Sequence, residues 1–427
     1  MKQMKDSGIE WIGEIPDTWV ITRLKYTLAE PMKYGASETG IDYDESLYRY
    51  IRITDIDSNG KLKEEGKLSL NEKQANGYEL QDNTILFARS GGTVGKSFLY
   101  NSKYGKAAFA GYLISAVANI KLILPRWILY YSNSSAYWEW INRIFTQATI
   151  QNIGADKYSS MPIPITNIST QQKIIIHLEK KCTEIDSIIS DLQSQIEALE
   201  EYKRSVITEA VTKGLDPDVE MRDSGIAWVG DIPAHWITHP LYFYFGERKN
   251  KNALGLETNL LSLSYGKIIR KDINSNGGLL PESFNTYNII EKDDIIIRPT
   301  DLQNDKRSLR TGIAREHGII TSAYIAMKAI KSVNPEYFHY LFHAYDVMKV
   351  FYNMGNGVRQ GLNFSEFSRL MVFEPTIEEQ NAIVAYLKEK CDEIDLAIAE
   401  KKQQIETIEE YKKSLIFEYV TGKKEVK

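Results

Sequence analysis

The apolar and polar positions of this chain repeat once along its length. Residues 6–19 read DSGIEWIGEIPDTW and residues 223–236 read DSGIAWVGDIPAHW, with nine of fourteen positions identical at an offset of 217 residues (Asp6 to Asp223). Spacings of four and three alternate along Ile185, Ile189, Leu192, Ile196, Leu199, Lys203 and Val206. They alternate again, in a second run, along Ile394, Ile398, Lys401, Ile405, Ile408, Lys412 and Leu415. This is a heptad seam, and it predicts two long helices that bury one stripe. Lys203 and Lys412 hold equivalent seam positions, where the alkyl stem covers apolar surface and the ammonium reaches water. The stretch CTEIDSIISDLQSQIEALEEYKRSVITEAVT from Cys182 matches CDEIDLAIAEKKQQIETIEEYKKSLIFEYVT at an offset of 209 residues (Cys182 to Cys391). Each is led in by glutamine, in Thr170-Gln171-Gln172 and in Glu379-Gln380-Asn381. From Thr170 to Thr212 the first helix counts 43 residues, a length of roughly 65 Å at 1.5 Å per residue. Gly214 and Pro217 end it.

Two copies of one unit therefore fill the chain, each a globular segment followed by a long helix. The expected fold class is α+β: two repeated globular domains separated by two long helices, which form an antiparallel coiled coil with pseudo-two-fold symmetry. The boundaries are 1–168 for the first domain, 169–214 for the first helix, 215–376 for the second domain and 377–427 for the second helix. The alternative is a pair of separate amphipathic helices, each capping its own domain.

Residues 88–97, ARSGGTVGKS, end like a phosphate-binding P-loop. The strand before them is plausible in Thr84-Ile85-Leu86-Phe87-Ala88. The first glycine of the motif is absent, because position 90 is serine, and Phe98-Leu99-Tyr100 reads as a strand where a helix is required. A glycine-bearing turn between two strands is the better reading. The second copy is an internal control. Asp294-Ile295-Ile296-Ile297 corresponds to Thr84-Ile85-Leu86-Phe87, Gly312 to Gly95 and Tyr324 to Tyr112, while RPTDLQNDKRSLRT replaces ARSGGTV and is about seven residues longer. Its Asp, Gln, Asn and Arg side chains are the kinds that read base edges. Gln147–Asn152 and Asn356–Gly361 form a second corresponding pair, with Gln151 and Gln360 at one place.

Composition narrows the class further. The chain has 427 residues and two cysteines, which points to two or three domains in a reducing compartment. The N-terminus has no apolar signal region, and the most apolar stretch, Ala107–Leu124, is broken by Gly111, Ser115, Asn119 and Lys121. A soluble, cytoplasmic protein with no membrane partner is expected. The net charge of −5 lies entirely in residues 170–214 (eight acidic, six basic) and 377–427 (twelve acidic, nine basic). The globular segments are neutral but segregated. No acidic residue stands between Asp82 and Glu139, an interval holding Arg89, Lys96, Lys103, Lys106, Lys121 and Arg126. Arg298, Lys306, Arg307, Arg310 and Arg315 cluster in the second copy against Asp301 and Asp305. A basic surface at the same place in both copies suits phosphate.

These residues together resemble the specificity subunit of type I restriction-modification systems. The resemblance rests on the repeated DSGIxWxGxIPxxW, on ILFARSGGTVGK with its counterpart IIIRPTDLQNDKRSLRTG, and on the two EIDxxI…EEYKxS helices. It covers essentially the whole chain. It implies two target-recognition domains, each reading one half of a bipartite, asymmetric site in double-stranded DNA. It implies helices that dock methyltransferase subunits, two per complex, and set the gap between half-sites. Restriction subunits, which translocate and cleave, complete the assembly, and catalysis belongs to the partner chains.

The expected DNA-binding residues are Arg89, Ser90, Thr93, Lys96 and Gln151 in the first domain. In the second they are Arg298, Asp301, Gln303, Asn304, Lys306, Arg307, Arg310, Arg359 and Gln360. The expected coiled-coil and partner residues are Ile185, Ile189, Leu192, Ile196, Leu199, Ile394, Ile398, Ile405, Ile408 and Leu415. No catalytic residue, metal or cofactor is expected. No Asn/Asp-Pro-Pro-Tyr/Phe motif is present, and Asp216-Pro217-Asp218-Val219-Glu220 lacks a following lysine. His339 and His343 lie one helical turn apart but within apolar, buried-looking sequence and without a third ligand. The competing functions are a P-loop enzyme with a coiled coil and a coiled-coil adaptor without DNA.

Overall fold

A computed structural model describes residues 3–57, 60–146, 152–273, 281, 283–300, 302, 309–354 and 361–426. Its contacts divide the chain into two units, 1–192 with 403–427, and 193–402. Both cuts fall inside the long helices.

The repeated DSGI motif is a repeated hairpin, and its polar residues close it. Asp6 Oδ1 accepts from the Gly8 amide at 3.0 Å, and the Ser7 amide donates to Gly13 O at 3.0 Å. Asp223 and Ser224 make the same bonds to Gly225 and Gly230, at 2.9 and 3.1 Å. Gly8 and Gly225 have φ of +74° and +69°, a region in which a side chain is strained. The motif's closing tryptophans anchor it. Trp19 packs edge-on against Trp127 at 5.7 Å between ring centroids, and Trp236 stacks on Phe373 at 5.6 Å.

Each unit builds one four-stranded antiparallel sheet of the same topology. In the first, β1 (Lys33–Tyr34), β2 (Ile85–Ala88), β3 (Ser97–Leu99) and β4 (Leu113–Ala116) lie in the order β1-β4-β2-β3. In the second, β5 (Phe245–Glu247), β6 (Ile295–Ile297), β7 (Thr311–Ile313) and β8 (Ile325–Ala329) lie in the order β5-β8-β6-β7. The central strands β2 and β6 are continuous apolar runs because both of their faces are covered. Ile85 and Phe87 face one core and Leu86 and Ala88 another, as do Ile295 and Ile297 against Ile296. Just before each strand a non-glycine residue has positive φ, Asn83 at +65° and Asp293 at +72°, both residue types that tolerate it.

The long helices are α1 (Ile168–Lys213) and α2 (Ile377–Val420). Within the first unit the start of α1 runs antiparallel to the end of α2: His177 meets the Tyr419 ring at 4.6 Å, and Asp186 pairs with Lys412 at 2.5 Å. Within the second unit Gln195 meets Lys401 at 2.6 Å and Lys203 pairs with Asp395 at 2.7 Å. Asp186 and Asp395, like Lys203 and Lys412, are separated by the 209-residue offset of the duplication, so each unit holds the same ion pair with the helices exchanged. The two lysines keep their stems on the seam and are held by a carboxylate across it.

One glutamine fixes each long helix to its globular segment. Gln171 and Gln380 are buried in the first turns. Gln171 Oε1 accepts from the Leu124 amide at 2.9 Å, and its Nε2 donates to Leu122 O and Thr166 O. Gln380 Oε1 accepts from the Asn334 amide at 2.8 Å, and its Nε2 donates to Pro375 O. Leu124 and Asn334 are the residues that precede the Pro125–Tyr131 and Pro335–Val347 helices.

Candidate nucleic-acid interface

The register of the two sheets sets which loop residues correspond. Phe87 pairs with Ser97 and with Ile114, and Ile297 pairs with Thr311 and with Ile325. The Ala88 amide donates to Lys96 O and the Arg298 amide to Arg310 O, both at 2.8 Å. Lys96 therefore corresponds to Arg310. This corrects the sequence alignment: Gly312 occupies the place of Phe98 rather than of Gly95, and Tyr324 that of Leu113 rather than of Tyr112. The frame carries two different loops, 89–95 and 299–309, of seven and eleven residues, so the second is four longer rather than seven. Sequence matching on glycine and tyrosine misled because neither residue holds a shared hydrogen bond.

The ARSGGTVGKS segment is a turn between strands. Gly91–Thr93 forms a single 3-10 turn and the next element is the strand β3 from Ser97, so the helix N-terminus that a P-loop needs is missing. Gly91 and Gly95 have φ of +75° and +87°. A Cβ at Gly95 would also lie 3.2 Å from the Trp138 ring. The turn is pinned from below by two buried phenols: Tyr137 Oη donates to Gly95 O at 2.5 Å and Tyr158 Oη to Ala88 O at 2.7 Å. Burial pushes both phenols above the usual tyrosine range, which keeps them protonated as donors.

On this platform Arg89, Ser90, Thr93 and Lys96 are partly exposed. The Arg89 guanidinium lies over the Tyr34 ring, 4.8 Å from its centroid, and its Nε donates to Asn152 Oδ1 at 3.4 Å. Tyr34 Oη accepts from the Ala155 amide at 2.9 Å, and Ser90 bridges to Asn152. Stacking occupies the guanidinium's face and leaves its edge for planar acceptors. Tyr34 and Asn152 were not among the sequence candidates, since their partners lie far along the chain. Other members of the basic interval are differently disposed. Lys103 and Lys106 lie over the Tyr104 and Tyr48 rings, and Arg126 pairs with Glu179 of α1.

In the second unit Arg310 departs from its expected role. It is 1% exposed, and its Nη1 and Nη2 donate to Thr300 O at 2.7 Å and Leu302 O at 3.1 Å. Its amide donates to Asp346 Oδ2 at 2.7 Å. Burial raises the Asp346 carboxyl, and the Arg310 bond and charge oppose that shift. A buried guanidinium spent on carbonyls holds the loop's root and does not reach a ligand. Arg315 pairs with Glu336. Arg298 is partly buried at the loop's start. Gln151, Asp301, Gln303, Asn304, Lys306, Arg307, Arg359 and Gln360 lie outside the described residues.

On the helices, Ile185, Ile189, Leu192, Ile394, Ile398 and Leu415 are buried, and Ile196, Leu199, Ile405 and Ile408 are half-buried. Cys182 and Cys391 are buried thiols; burial pushes Cys182 up to about 11, so it stays protonated and unreactive. Among the described residues no group of three or more His, Cys, Asp or Glu is placed to hold a metal, and no helix is long and apolar enough to cross a membrane.

Comparison with known proteins gives this arrangement its kin. The profile of the type I restriction modification DNA specificity domain matches residues 32–198. The chain assigned as the MjaX type I restriction enzyme specificity subunit of Methanocaldococcus jannaschii is 25% identical over 97% of this chain and 96% of its own. The StySPI specificity subunit of Salmonella potsdam is 23% identical over 67% of this chain and 62% of its own. A solved chain from a type I R-M system shares the fold, with a TM-score of 0.66 at 14% identity, covering 95% of this chain and 98% of that one. With its duplicated domains and paired helices, the chain is similar over nearly its whole length to the specificity subunits of type I restriction-modification systems.

Proposed function

We propose that each globular segment reads one half of a bipartite, asymmetric site in double-stranded DNA. The long helices dock methyltransferase subunits, two per complex, and fix the half-site spacing. Restriction subunits join the same assembly, in the cytoplasm, and the chain performs no chemistry itself. The observation that carries this reading is one sheet frame presenting two unlike loops, 89–95 and 299–309. A shared frame keeps the position of the contact while the loop sets which bases are read. Arg89, Ser90, Thr93 and Lys96 present their side chains to the first half-site. Arg298, Asp301, Gln303, Asn304, Lys306 and Arg307 serve the second, with Arg310 positioning the loop, and Gln151, Arg359 and Gln360 flank the two loops. Tyr202 and Tyr411, equivalent positions on α1 and α2, are 54% and 56% exposed. A repeated exposed tyrosine suits two copies of one protein partner.

Single-molecule sequencing of methylated adenines in a host expressing the chain with its modification subunit tests the reading. A bipartite mark is expected, and its absence sinks the proposal. Lys96→Ala should weaken DNA binding by the assembled complex and reduce the salt slope by about one. An adaptor without a DNA role would show no sequence-specific binding when modification subunits are added.

A further inference from the structure

The second unit carries a β-hairpin, Leu261–Ser264 paired with Lys267–Arg270, closed by Tyr265 and Gly266. Both turn residues are left-handed, with φ of +46° and +78°. A two-residue turn of this hand matches the strand twist and favours Asn-Gly or Asp-Gly. The left-handed positions ahead of β2 and β6 follow that preference with Asn83 and Asp293. Tyr265 does not, and its Cβ is crowded there. Packing does not account for the choice. The Tyr265 side chain is 74% exposed and makes no hydrogen bond among the described residues. Backbone strain carried by an exposed side chain points to something that side chain does.

The hairpin is placed against the variable loop. A Cβ at Gly266 would lie 3.0 Å from the Leu309 side chain, and one at Gly312 would lie 2.7 Å from Leu263 and 3.1 Å from Ile268. Leu309 ends the 299–309 loop, so the tyrosine tip stands beside that loop's root. Lys267 and Lys271 are exposed and make no ion pair among the described residues, while Arg270 is held by Glu316. In the first unit the strand Tyr48–Ile51, which runs parallel to Ala107–Phe109, leads into a 3-10 turn at Ile53–Asp55. The hairpin tip is therefore part of what distinguishes the second domain from the first.

We infer that the Tyr265-Gly266-Lys267 tip is a second DNA contact of this domain, with the tyrosine ring against the duplex of its half-site and Lys267 on the adjoining phosphate. The inference rests on the DNA-reading function above. A two-stranded ribbon is of a size the major groove admits. A tyrosine offers an apolar face for sugar or thymine methyl and a hydroxyl for a base edge or phosphate.

Tyr265→Asn tests it sharply, because asparagine is the better turn residue and should leave thermal stability unchanged or raised. The assembled complex is titrated with its cognate duplex, with each half-site scrambled in turn, and with a non-specific duplex. The variant should bind the cognate duplex at least about tenfold more weakly, the scale of one lost aromatic contact. It should keep discrimination at the first half-site and lose it at the second, and Tyr265→Phe should recover most of the affinity. Affinity within twofold of wild type overturns the inference. Failure of the variant to assemble with modification subunits also overturns it, by making the tip a protein contact. If the wild-type complex itself shows no sequence preference, the DNA reading fails and this inference falls with it.

Discussion

At the residue scale, burial decides the behaviour of several groups whose sequence context suggested chemistry. His339 and His343 lie one turn apart on the Pro335–Val347 helix, and burial lowers both to about 4. The neighbouring His343 charge further opposes protonation of His339, and Lys203 and Arg204 oppose that of His343. Both are neutral in the folded chain near neutral pH. The unfolded chain takes up their protons near pH 6.5, so stability is fully present above that value and is lost as pH falls from about 6.5 toward about 4. Each histidine contributes about 1–3 kcal/mol to this dependence. Urea denaturation at pH 7 and pH 5 should show it, and the His339→Gln, His343→Gln double variant should flatten the dependence. An unchanged slope would place the titration elsewhere. The basic residues divide in the same way. Composition marked Lys96 and Arg310 alike as candidates, and register makes them equivalent, yet one is partly exposed and the other is buried beneath its loop. A sequence shows where a cation stands in the chain and not whether carbonyls already hold it.

At the scale of elements, the long helices were legible because a heptad seam is a local pattern of fixed period. For the first, the predicted start at Thr170 and end at Thr212 differ from Ile168–Lys213 by two residues and one. The glutamine lead was visible as a repeat, but its purpose was not, because its partners lie 47 and 46 residues away in the chain. Gln171 joins three backbone groups that would otherwise be left without a partner near the core. Gln171→Ala should destabilise the chain by about 2–4 kcal/mol, since a buried backbone group stripped of its partner carries its full desolvation penalty. Gln380→Ala should act similarly, and more weakly by the bond it lacks. Chemical denaturation followed by tryptophan fluorescence measures both, and a loss below about 0.5 kcal/mol would mean that water replaces the side chain. The sheets were harder to read. The strand β2 was clear as an apolar run, but the pairing that makes Lys96 the partner of Arg310 depends on backbone bonds that no residue identity records.

On the whole-molecule scale, the negative charge sits where the proposed DNA-reading function does not need it. The segments 170–214 and 377–427 account for all of the net −5, which leaves the globular segments neutral in sum. Each described loop offers few cations: Arg89 and Lys96 in the first unit, with Arg310 of the second already spent. So few cations supply little non-specific affinity at physiological salt, because that affinity grows with the number of counterions released. The isolated chain should therefore bind even its cognate duplex weakly. Addition of modification subunits should increase affinity by orders of magnitude and steepen the salt dependence, as cations from the partners join the same duplex. Fluorescence anisotropy with a labelled cognate duplex, at several salt concentrations and with and without modification subunits, measures both quantities together. Tight, sequence-specific binding by the chain alone would contradict this division of labour. It would require cations beyond those the described loops present, and the segment 303–308, which holds Lys306 and Arg307, would be the place to substitute next.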